Sequence, residues 1–311
     1  MLQISEAAMI KRGYLVARAG GRCFADSTFS MNLFWRQFCA ELYKLCARKR
    51  THIGFVALLV AELILLALLQ VDTVRNYIRQ DMLRAGASFA ADFSGVTVAE
   101  YMMSNTMSSL GNLFIALVAG DIVAKEVEDG TLRTTFCRPV SRGAVFVHKY
   151  LVVLLYTASV VGFLGLSALL IGLLFEGPGN VFFWSVKEGI TAWFSFWPGL
   201  ARYALALPLL TLSVFSVTTL AFTFSCCNVK PAAAAALALT FFLADDALRN
   251  VPQFRSAKEY FVMTRIVAWV HVYDETIPWP YLRRNYSILL AGNAGLLAVA
   301  YAQFRRRDLK P

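Results

Sequence analysis

Six long apolar runs, separated by short polar segments, dominate the pattern of hydrophobic and polar positions along the chain. The clearest run covers residues 53–71, where Glu62 and Gln70 are the strongly polar side chains. The other runs cover residues 104–124, 145–175, 200–225, 231–244 and 286–304. A helix of about 20 apolar residues crosses the hydrocarbon core of a bilayer. The pattern therefore predicts an all-α integral membrane protein with about six transmembrane helices, of which the fifth is short for a crossing.

Two further stretches have the pattern of amphipathic helices at a membrane surface. In residues 31–50 one helical stripe is apolar and consists of Phe34, Phe38, Leu42 and Leu45. In residues 190–197 apolar side chains recur at similar spacing, namely Ile190, Trp193, Phe194 and Trp197. We predict an N-terminal interfacial helix on the cytosolic side and an aromatic-anchored helix on the opposite side. Ordinary packing against the bundle is the alternative for both.

The composition agrees with a membrane protein, because 58% of the residues are hydrophobic and 16% are charged, against about 25% charged residues in soluble domains. The net charge of +10 could also indicate nucleic-acid binding, but the basic residues lie beside the apolar runs. In the predicted topology, 19 of the 30 lysine and arginine residues lie on the side of the two termini. Because cytosolic loops are enriched in positive charge, we expect both termini to be cytoplasmic in a bacterial inner membrane, and no nucleic-acid partner.

Sequence motifs for catalysis are absent from the chain. No Gly-Lys pair occurs, so there is no phosphate-binding loop of the G-x-x-x-x-G-K-[ST] type. The three histidines are scattered and the six cysteines include no C-x-x-C pair, so we predict neither a metal site nor a disulfide framework. The chain is therefore predicted not to be an enzyme, and we assign no catalytic residue. A catalytic site assembled from distant residues is the alternative.

The most informative segment is the polar stretch between the second and third apolar runs, KEVEDGTLRTTFCRPVSRGAVFVHKY, residues 125–150. Gly130 suits a left-handed cap at the end of a helix, and Thr131 can begin a short helix. Pro139 ends that helix, and Ser141 can cap the third span. The segment therefore predicts a short transverse helix on the cytosolic side, braced between two spanning helices. A well-capped basic loop that only obeys the positive-inside rule is the alternative.

This segment resembles the signature of the membrane permease subunits of type-2 ABC exporters. That signature consists of a Glu, a Gly-Thr-Leu, an apolar stretch, a Pro-Val-Ser-Arg and a Lys that leads the next helix. The matching residues here are Glu126, Gly130, Thr131, Leu132, Pro139, Val140, Ser141, Arg142 and Lys149. The likeness extends over about residues 31–311, and this loop is its specific part.

The resemblance implies a division of labour between subunits in an ATP-driven exporter. In that family the loop is a coupling helix that docks on a separate cytosolic ATPase subunit, which binds the ATP. Two permeases, identical or paralogous, form the translocation path within the lipid bilayer. The likeness therefore implies that the chain carries no cofactor of its own. The residues that it implies for docking on the ATPase are Glu126, Gly130, Thr131, Arg138, Pro139, Ser141 and Arg142.

Polar side chains in or beside the predicted spans are candidates for a substrate pathway, because an unpaired charge in hydrocarbon costs at least about 2.5 kcal/mol. The candidate set is Glu62, Ser104, Ser108, Asn112, Asp245 and Asp246. For Glu62, pairing with a polar group of the second span is the alternative. For the two aspartates, a plain helix boundary is the alternative to a hydrated vestibule. We expect Asp121 to pair with Lys125, four residues on along one helix face.

Residues 1–30 precede the region of resemblance, and we expect them to be a poorly ordered extension before an exporter-type transmembrane domain at 31–311. Two other functions stay open beside the exporter. A stand-alone secondary transporter or channel would use ion gradients and would show paired broken helices or repeated halves. A membrane scaffold would recruit a cytosolic partner through the loop without moving a substrate.

Overall fold

The computed structural model describes residues 27–84, 93–132, 141–185, 188–227 and 229–306. Six helices within these residues are long and apolar enough to cross a membrane. The six spans, in chain order, are Lys49–Leu69, Gly95–Glu128, Arg142–Glu176, Phe196–Cys226, Pro231–Arg249 and Trp279–Arg306. The prediction of an all-α integral membrane protein with six spans is thus confirmed. Residues 1–26 of the expected extension lie outside the described residues.

Successive spans alternate in direction, which gives the bundle two ends. The terminal end carries the start of the first span at Lys49 and the end of the sixth at Arg306. The N-terminal helix, Ser27–Cys46, also lies at the terminal end. The hairpin end carries a two-stranded antiparallel sheet and several short helices. These elements are Asp72–Arg84, Val181–Ser185, Ile190–Phe194, Pro252–Tyr260, Val262–Ile266 and Val267–Tyr273.

The second and fourth spans form the centre of the bundle. In each of them 61% of the most apolar stretch is buried, against 33% or less in the other four spans. Gly95 and Gly172 allow the second and third spans to approach closely, because a Cβ on Gly95 would lie 2.6 Å from the carbonyl oxygen of Gly172. Small residues at such crossings are a common means of packing helices in membranes.

The second span is interrupted by a π-helical turn. It consists of the α-helix Gly95–Thr106, the π-helix Met107–Gly111 and the α-helix Asn112–Glu128. A π-helical turn holds an extra residue in an otherwise α-helical ladder and is frequent at functional sites. The predicted polar face of this span lies directly around that turn.

The N-terminal helix packs against the third span with the apolar stripe described above. Leu45 is buried, and Phe38 and Leu42 pack against the core. The ring centroid of Phe34 lies 4.3 Å from that of His148 in the third span. The stripe therefore faces the bundle. This agrees with the alternative given above, ordinary packing against the bundle, and not with a helix on the membrane surface.

The predicted surface helix at residues 190–197 is wrong. Ile190–Phe194 is a β-strand that pairs with Val181–Ser185, and Trp197 belongs to the fourth span. Gly189, at φ +68°, takes up the left-handed conformation of the turn between the strands. In the second strand Ile190 and Ala192 are buried and Thr191 and Trp193 are exposed, which is the two-residue alternation of a sheet.

The fifth span is longer than predicted. Its helix continues beyond Ala244 to Arg249 and is 19 residues long. The two aspartates do not end it, because both carboxylates have partners: Asp245 accepts backbone hydrogen bonds, and Asp246 lies near Arg249. The chain leaves the helix at Asn250 and enters the short helices of the hairpin end.

Candidate functional site

The loop with the exporter-like signature lies at the terminal end, between the second and third spans. Gly130 follows the second span at φ +69°, as predicted for a left-handed cap. The Ser141 hydroxyl accepts a hydrogen bond from the backbone N–H of Ala144 at 3.2 Å and so caps the third span. Residues 133–140 lie outside the described residues, and the predicted docking residues Arg138 and Pro139 and most of the predicted coupling helix are among them.

A buried ion cluster joins the two spans that flank this loop. Lys149 of the third span is fully buried, and its Nζ lies 2.7 Å from Oε2 of Glu126 in the second span. The same Nζ donates a hydrogen bond to Oε2 of Glu41 in the N-terminal helix at 2.9 Å. We call Glu41, Lys44, Glu126 and Lys149 the ion cluster. A buried ammonium is costly unless it is paired, and here two carboxylates from two other helices pair it.

Two cations lie near the carboxylates of the ion cluster: Lys44 of the N-terminal helix and Arg48, which directly precedes the first span. Lys44 donates to Oε1 of Glu41 at 2.6 Å. Lys44 and Arg48 each lie 3.9 Å from Oε1 of Glu126. Burial raises the pKa of Glu41, but the Lys149 ammonium and the hydrogen bonds from Lys44 and Lys149 outweigh burial, so the net pKa is lowered. Glu41 is therefore an anion at neutral pH.

The remaining predicted docking residues that the structure describes also make contacts at the terminal end. Arg142 donates to the backbone carbonyl of Arg305 at 2.9 Å, which ties the start of the third span to the end of the sixth. The Thr131 hydroxyl donates to the carbonyl of Glu126 at 3.3 Å. Together with the ion cluster, these contacts fix the described residues on both sides of the loop.

The expected pair between Asp121 and Lys125 is wrong. Oδ2 of Asp121 lies 2.5 Å from Nη1 of Arg50, at the start of the first span. Lys125 pairs with Asp129 at 3.2 Å and with Glu128 at 3.7 Å instead. The i, i+4 rule could not choose between the partners, because Lys125 has acidic residues at i+3 and i+4 as well as at i−4. Asp121 points toward the first span instead. Asp121 thus joins the first and second spans.

A cavity of about 390 Å³ lies toward the hairpin end. It is lined by residues of the second, fourth and fifth spans and of the short helices Val262–Ile266 and Val267–Tyr273. Four of the predicted pathway residues line it, namely Ser104, Ser108, Asn112 and Asp246. The π-helical turn carries Ser108, and Ser104 and Asn112 flank it. The structure therefore brings these four residues together around one space.

The other two predicted pathway residues lie elsewhere. Asp245 accepts a hydrogen bond from the backbone N–H of Met263 at 2.6 Å, and so holds a short helix of the hairpin end against the fifth span. Glu62 of the first span is fully buried beside Ser167. Neither Glu62 oxygen has a hydrogen-bond partner among the described residues, since the Ser167 hydroxyl donates to the carbonyl of Phe163.

Sequence reasoning missed several residues that the structure places in these two sites. Glu41 and Lys44 form an i, i+3 pair in the N-terminal helix, and that spacing was the available signal. Arg249 and Glu188 meet at the cavity across 3.0 Å. No local pattern predicts that pair, because 61 residues separate the two partners.

Two comparisons with known proteins bear on this arrangement. A sequence model of the family described as ABC-2 family transporter protein matches residues 38–244, about two thirds of the chain. The matched region includes Glu41, Glu126 and Lys149. A protein of Bacillus subtilis (strain 168), named Uncharacterized protein YhcI, is 35% identical over 88 residues. That alignment covers 28% of this chain and 28% of the other protein.

Proposed function

The chain belongs to the ABC-2 family of transporter proteins and is a membrane permease of an ABC transporter, and on this premise we propose that it couples ATP hydrolysis by a separate ATPase subunit to substrate export. The observation that supports this best is the ion cluster at the terminal end. It joins the two spans that flank the loop to each other and to the N-terminal helix. A force applied to the loop therefore acts on three helices together.

The docking step rests on the loop between Asp129 and Ser141. Both of its ends are fixed, by the left-handed cap at Gly130 and by the hydroxyl cap of Ser141. A loop fixed at both ends transmits displacement, whereas a loop with free ends absorbs it. In this proposal Arg138, Pro139 and Arg142 contact the ATPase, and the ATPase binds the ATP.

The transmission step rests on the buried pairs of Lys149. Breaking a buried ion pair by removing one partner costs about 3–5 kcal/mol, so the pairs of Lys149 resist separation during a conformational step. When the ATPase subunits close, the second and third spans then move as one body at this end. Rigid-body motion of this kind is a usual means of switching access in transporters.

The membrane orientation follows from the basic residues of the terminal end. Arg48, Lys49 and Arg50 precede the first span, and Arg305 and Arg306 end the sixth. Positive charge marks the cytosolic side, so the proposal places both termini and the loop in the cytosol of a bacterial cell. A second permease copy, identical or paralogous, completes the translocation path.

The proposal is tested by co-purification with ABC ATPase subunits from the native host, followed by measurement of the ATPase rate of the complex in proteoliposomes. Charge reversal in the loop, as Arg138→Glu with Arg142→Glu, is expected to abolish co-purification. Arg283→Glu with Arg284→Glu is the matched control, because both are exposed arginines at the hairpin end and the net charge changes by the same amount. The control variant is expected to retain the ATPase.

Three outcomes separate this function from its competitors. Loss of the ATPase from both variants alike would mean that net charge, not the loop, governs the association. An ATPase that binds but never drives ATP-dependent movement of any solute into inside-out vesicles would favour a membrane scaffold. Transport that continues without any ATPase, driven by an ion gradient, would favour a secondary transporter.

A further inference from the structure

The cavity near the hairpin end lies within a single subunit and has an apolar wall. The wall is formed by the fourth and fifth spans and the short helices of the hairpin end. Its main side chains are Leu210, Val214, Val217, Leu239, Phe242 and Trp269. A volume of about 390 Å³ falls in the range of small-molecule sites, roughly 300–1,000 Å³. The cavity is therefore large enough for one alkyl chain or a molecule of similar size.

The second span contributes polar side chains to the opposite side of the cavity, and two of them make hydrogen bonds within that span. The Ser108 hydroxyl donates to the carbonyl of Asn105 at 3.0 Å, and the Asn105 amide donates to the carbonyl of Tyr101 at 2.7 Å. The Ser108 hydroxyl and one N–H of Asn105 are thus bound within their own span. Asn112 differs, because its buried Oδ1 has no hydrogen-bond partner among the described residues.

The end of the cavity nearest the hairpin carries charges of both signs. Arg249 lines the cavity with only 2% of its side chain exposed, and its Nη2 donates to Oε1 of Glu188 at 3.0 Å. Within the described part of the chain, Nη1 and Nε of Arg249 have no hydrogen-bond partner. The nearest other carboxylate is that of Asp246, which also lines the cavity and lies 3.7 Å from Nε. A buried guanidinium with unused donors is costly, and a ligand that accepts hydrogen bonds would remove that cost.

Among the described residues, the charged side chains that pair with one another here sum to zero and favour a ligand without net charge. Arg249 and Lys258 are the cations, and Glu188 and Asp246 are the anions. A ligand with one net charge would leave an uncompensated charge in a site of low dielectric constant. We propose that this cavity binds a single-chain zwitterionic amphiphile, whose anionic group contacts Arg249, whose cationic group contacts Asp246 and whose chain lies on the apolar wall.

The cavity is open to the side of the bundle. Asn105, Ser108 and Leu243 line it and are exposed, Leu243 to 70%. They lie on the second and fifth spans, within the part of the bundle that crosses the membrane. An amphiphile can therefore enter from the bilayer with its chain leading, which suits a molecule that is already dissolved in lipid.

This inference goes beyond the proposed function, because binding in one subunit requires neither an ATPase nor a second copy. Binding is measured on the purified permease without nucleotide. A failure of binding therefore leaves the coupling proposal untouched, and a failure to bind an ATPase leaves the cavity proposal untouched.

The test uses three probes that share a dodecyl chain and differ in headgroup charge. They are dodecylphosphocholine, dodecyl sulfate and dodecyltrimethylammonium, each carrying a terminal bromine that quenches tryptophan fluorescence. The purified full-length protein, in neutral maltoside micelles, is titrated with each probe. We expect saturable quenching, with the zwitterion binding at least about tenfold more tightly than either charged probe. Trp269→Phe is expected to lose the saturable component, because Trp269 lies in the cavity wall.

Two charge variants are expected to shift the preference in opposite directions. Asp246→Asn leaves a net positive site, so dodecyl sulfate is expected to bind as tightly as the zwitterion or more tightly. Arg249→Gln leaves a net negative site, so dodecyltrimethylammonium is expected to gain and the zwitterion to weaken about tenfold. Arg284→Gln is the matched control, because Arg284 is exposed at the hairpin end, does not line the cavity and is not part of this charge sum. It is expected to change the three affinities little, since solvent screens that charge.

Three results would overturn the inference. The first is quenching that does not saturate, or that persists in Trp269→Phe, which means partition into the micelle only. The second is equal affinity of the three probes for the unaltered protein. The third is a uniform loss for all probes in both charge variants. Should Arg249→Gln fail to fold, Asp246→Asn and the cavity-filling Leu239→Trp decide the matter, and normal zwitterion binding by Leu239→Trp would refute the site.

Discussion

Replacement of Lys149 by methionine is the sharpest test of the ion cluster. Methionine has nearly the length and volume of lysine and lacks the charge. In the native protein the ammonium is fully buried and lies 2.9 Å from Glu41 and 2.7 Å from Glu126. The change therefore removes two ion pairs while it leaves the packing of the third span almost intact.

The expected loss of stability depends on the cations that Glu41 and Glu126 still have after Lys149 is replaced. Glu41 keeps Lys44 at 2.6 Å, whereas the cations that remain near Glu126 among the described residues are Lys44 and Arg48, both at 3.9 Å. Removing one partner of a buried pair costs about 3–5 kcal/mol. Because one of the two carboxylates retains a close cation, we expect Lys149→Met to lower the free energy of unfolding by about 3 kcal/mol. That equals a change of more than about a hundredfold in the unfolding equilibrium.

The assay is equilibrium unfolding in mixed micelles with increasing dodecyl sulfate, followed by tryptophan fluorescence. Lys125→Met is the matched control: its side chain is 39% exposed, and we expect a much smaller loss, because surface ion pairs contribute little to stability. Lys149→Met with Glu126→Gln is expected to recover about 1–2 kcal/mol of the single loss, because no unpaired carboxylate then remains at that position. The electrostatic explanation is refuted if Lys149→Met is as stable as Lys125→Met, or if the second change adds to the loss.

Stability is expected to fall in acid, because the net pKa of Glu41 lies below its ordinary value of 4.5. The stabilisation is fully present above about pH 4.5 and is lost as the pH falls through the folded-state pKa; thermal unfolding between pH 3 and 7 measures it. Gly130→Ala is expected to cost about 1 kcal/mol, since φ is +69° there and no atom lies near the added methyl. Gly172→Ala is expected to cost about 2 kcal/mol through its clash with the Gly95 backbone, whereas Gly162→Ala, in open space on the same helix, is expected to be neutral or stabilising by thermal unfolding.

Each of these expectations has a result that contradicts it. A pH profile of Glu41→Gln that matches the unaltered protein would assign the acid loss to other groups. An unchanged melting temperature in Gly130→Ala would mean that the left-handed cap is not needed. Equal melting temperatures for the Gly172 and Gly162 variants would mean that the second and third spans do not need their close approach.

The spans could be predicted because their signal is local. Five of the six apolar runs lie inside one spanning helix each, and the first run, residues 53–71, ends two residues beyond its helix Lys49–Leu69. The strand at Ile190–Phe194 could not be predicted in this way. Its five residues place apolar side chains at positions that fit both a helical stripe and a sheet face. The choice is decided by Gly189 and by pairing with Val181–Ser185, neither of which the stripe pattern contains.

In the candidate site, only the contacts between residues close in sequence could be predicted. The caps at Gly130 and Ser141 depend on neighbouring residues, and both form as predicted. The ion cluster depends on side chains that are distant in the chain, since 108 residues separate Glu41 from Lys149. The partner of Asp121 was missed for the same reason, because Arg50 lies 71 residues away while Lys125 is in the same helix. Charge pairing inside a bundle follows the packing of helices, which local spacing does not specify.

The ion cluster and the cavity lie on the same span, and this links the two proposals mechanically. Glu126 belongs to the ion cluster, and Asn112 lines the cavity 14 residues earlier in one uninterrupted α-helix, Asn112–Glu128. At 1.5 Å per residue this helix carries a displacement of the loop about 21 Å to the cavity wall. The π-helical turn Met107–Gly111 adjoins this helix at Asn112, and its extra residue makes it the place where we expect the second span to change shape while Asn112–Glu128 stays rigid. In the coupling that we propose, motion at the terminal end reaches the second-span wall of the cavity through this helix, while the pairs of Lys149 keep the third span in step with it.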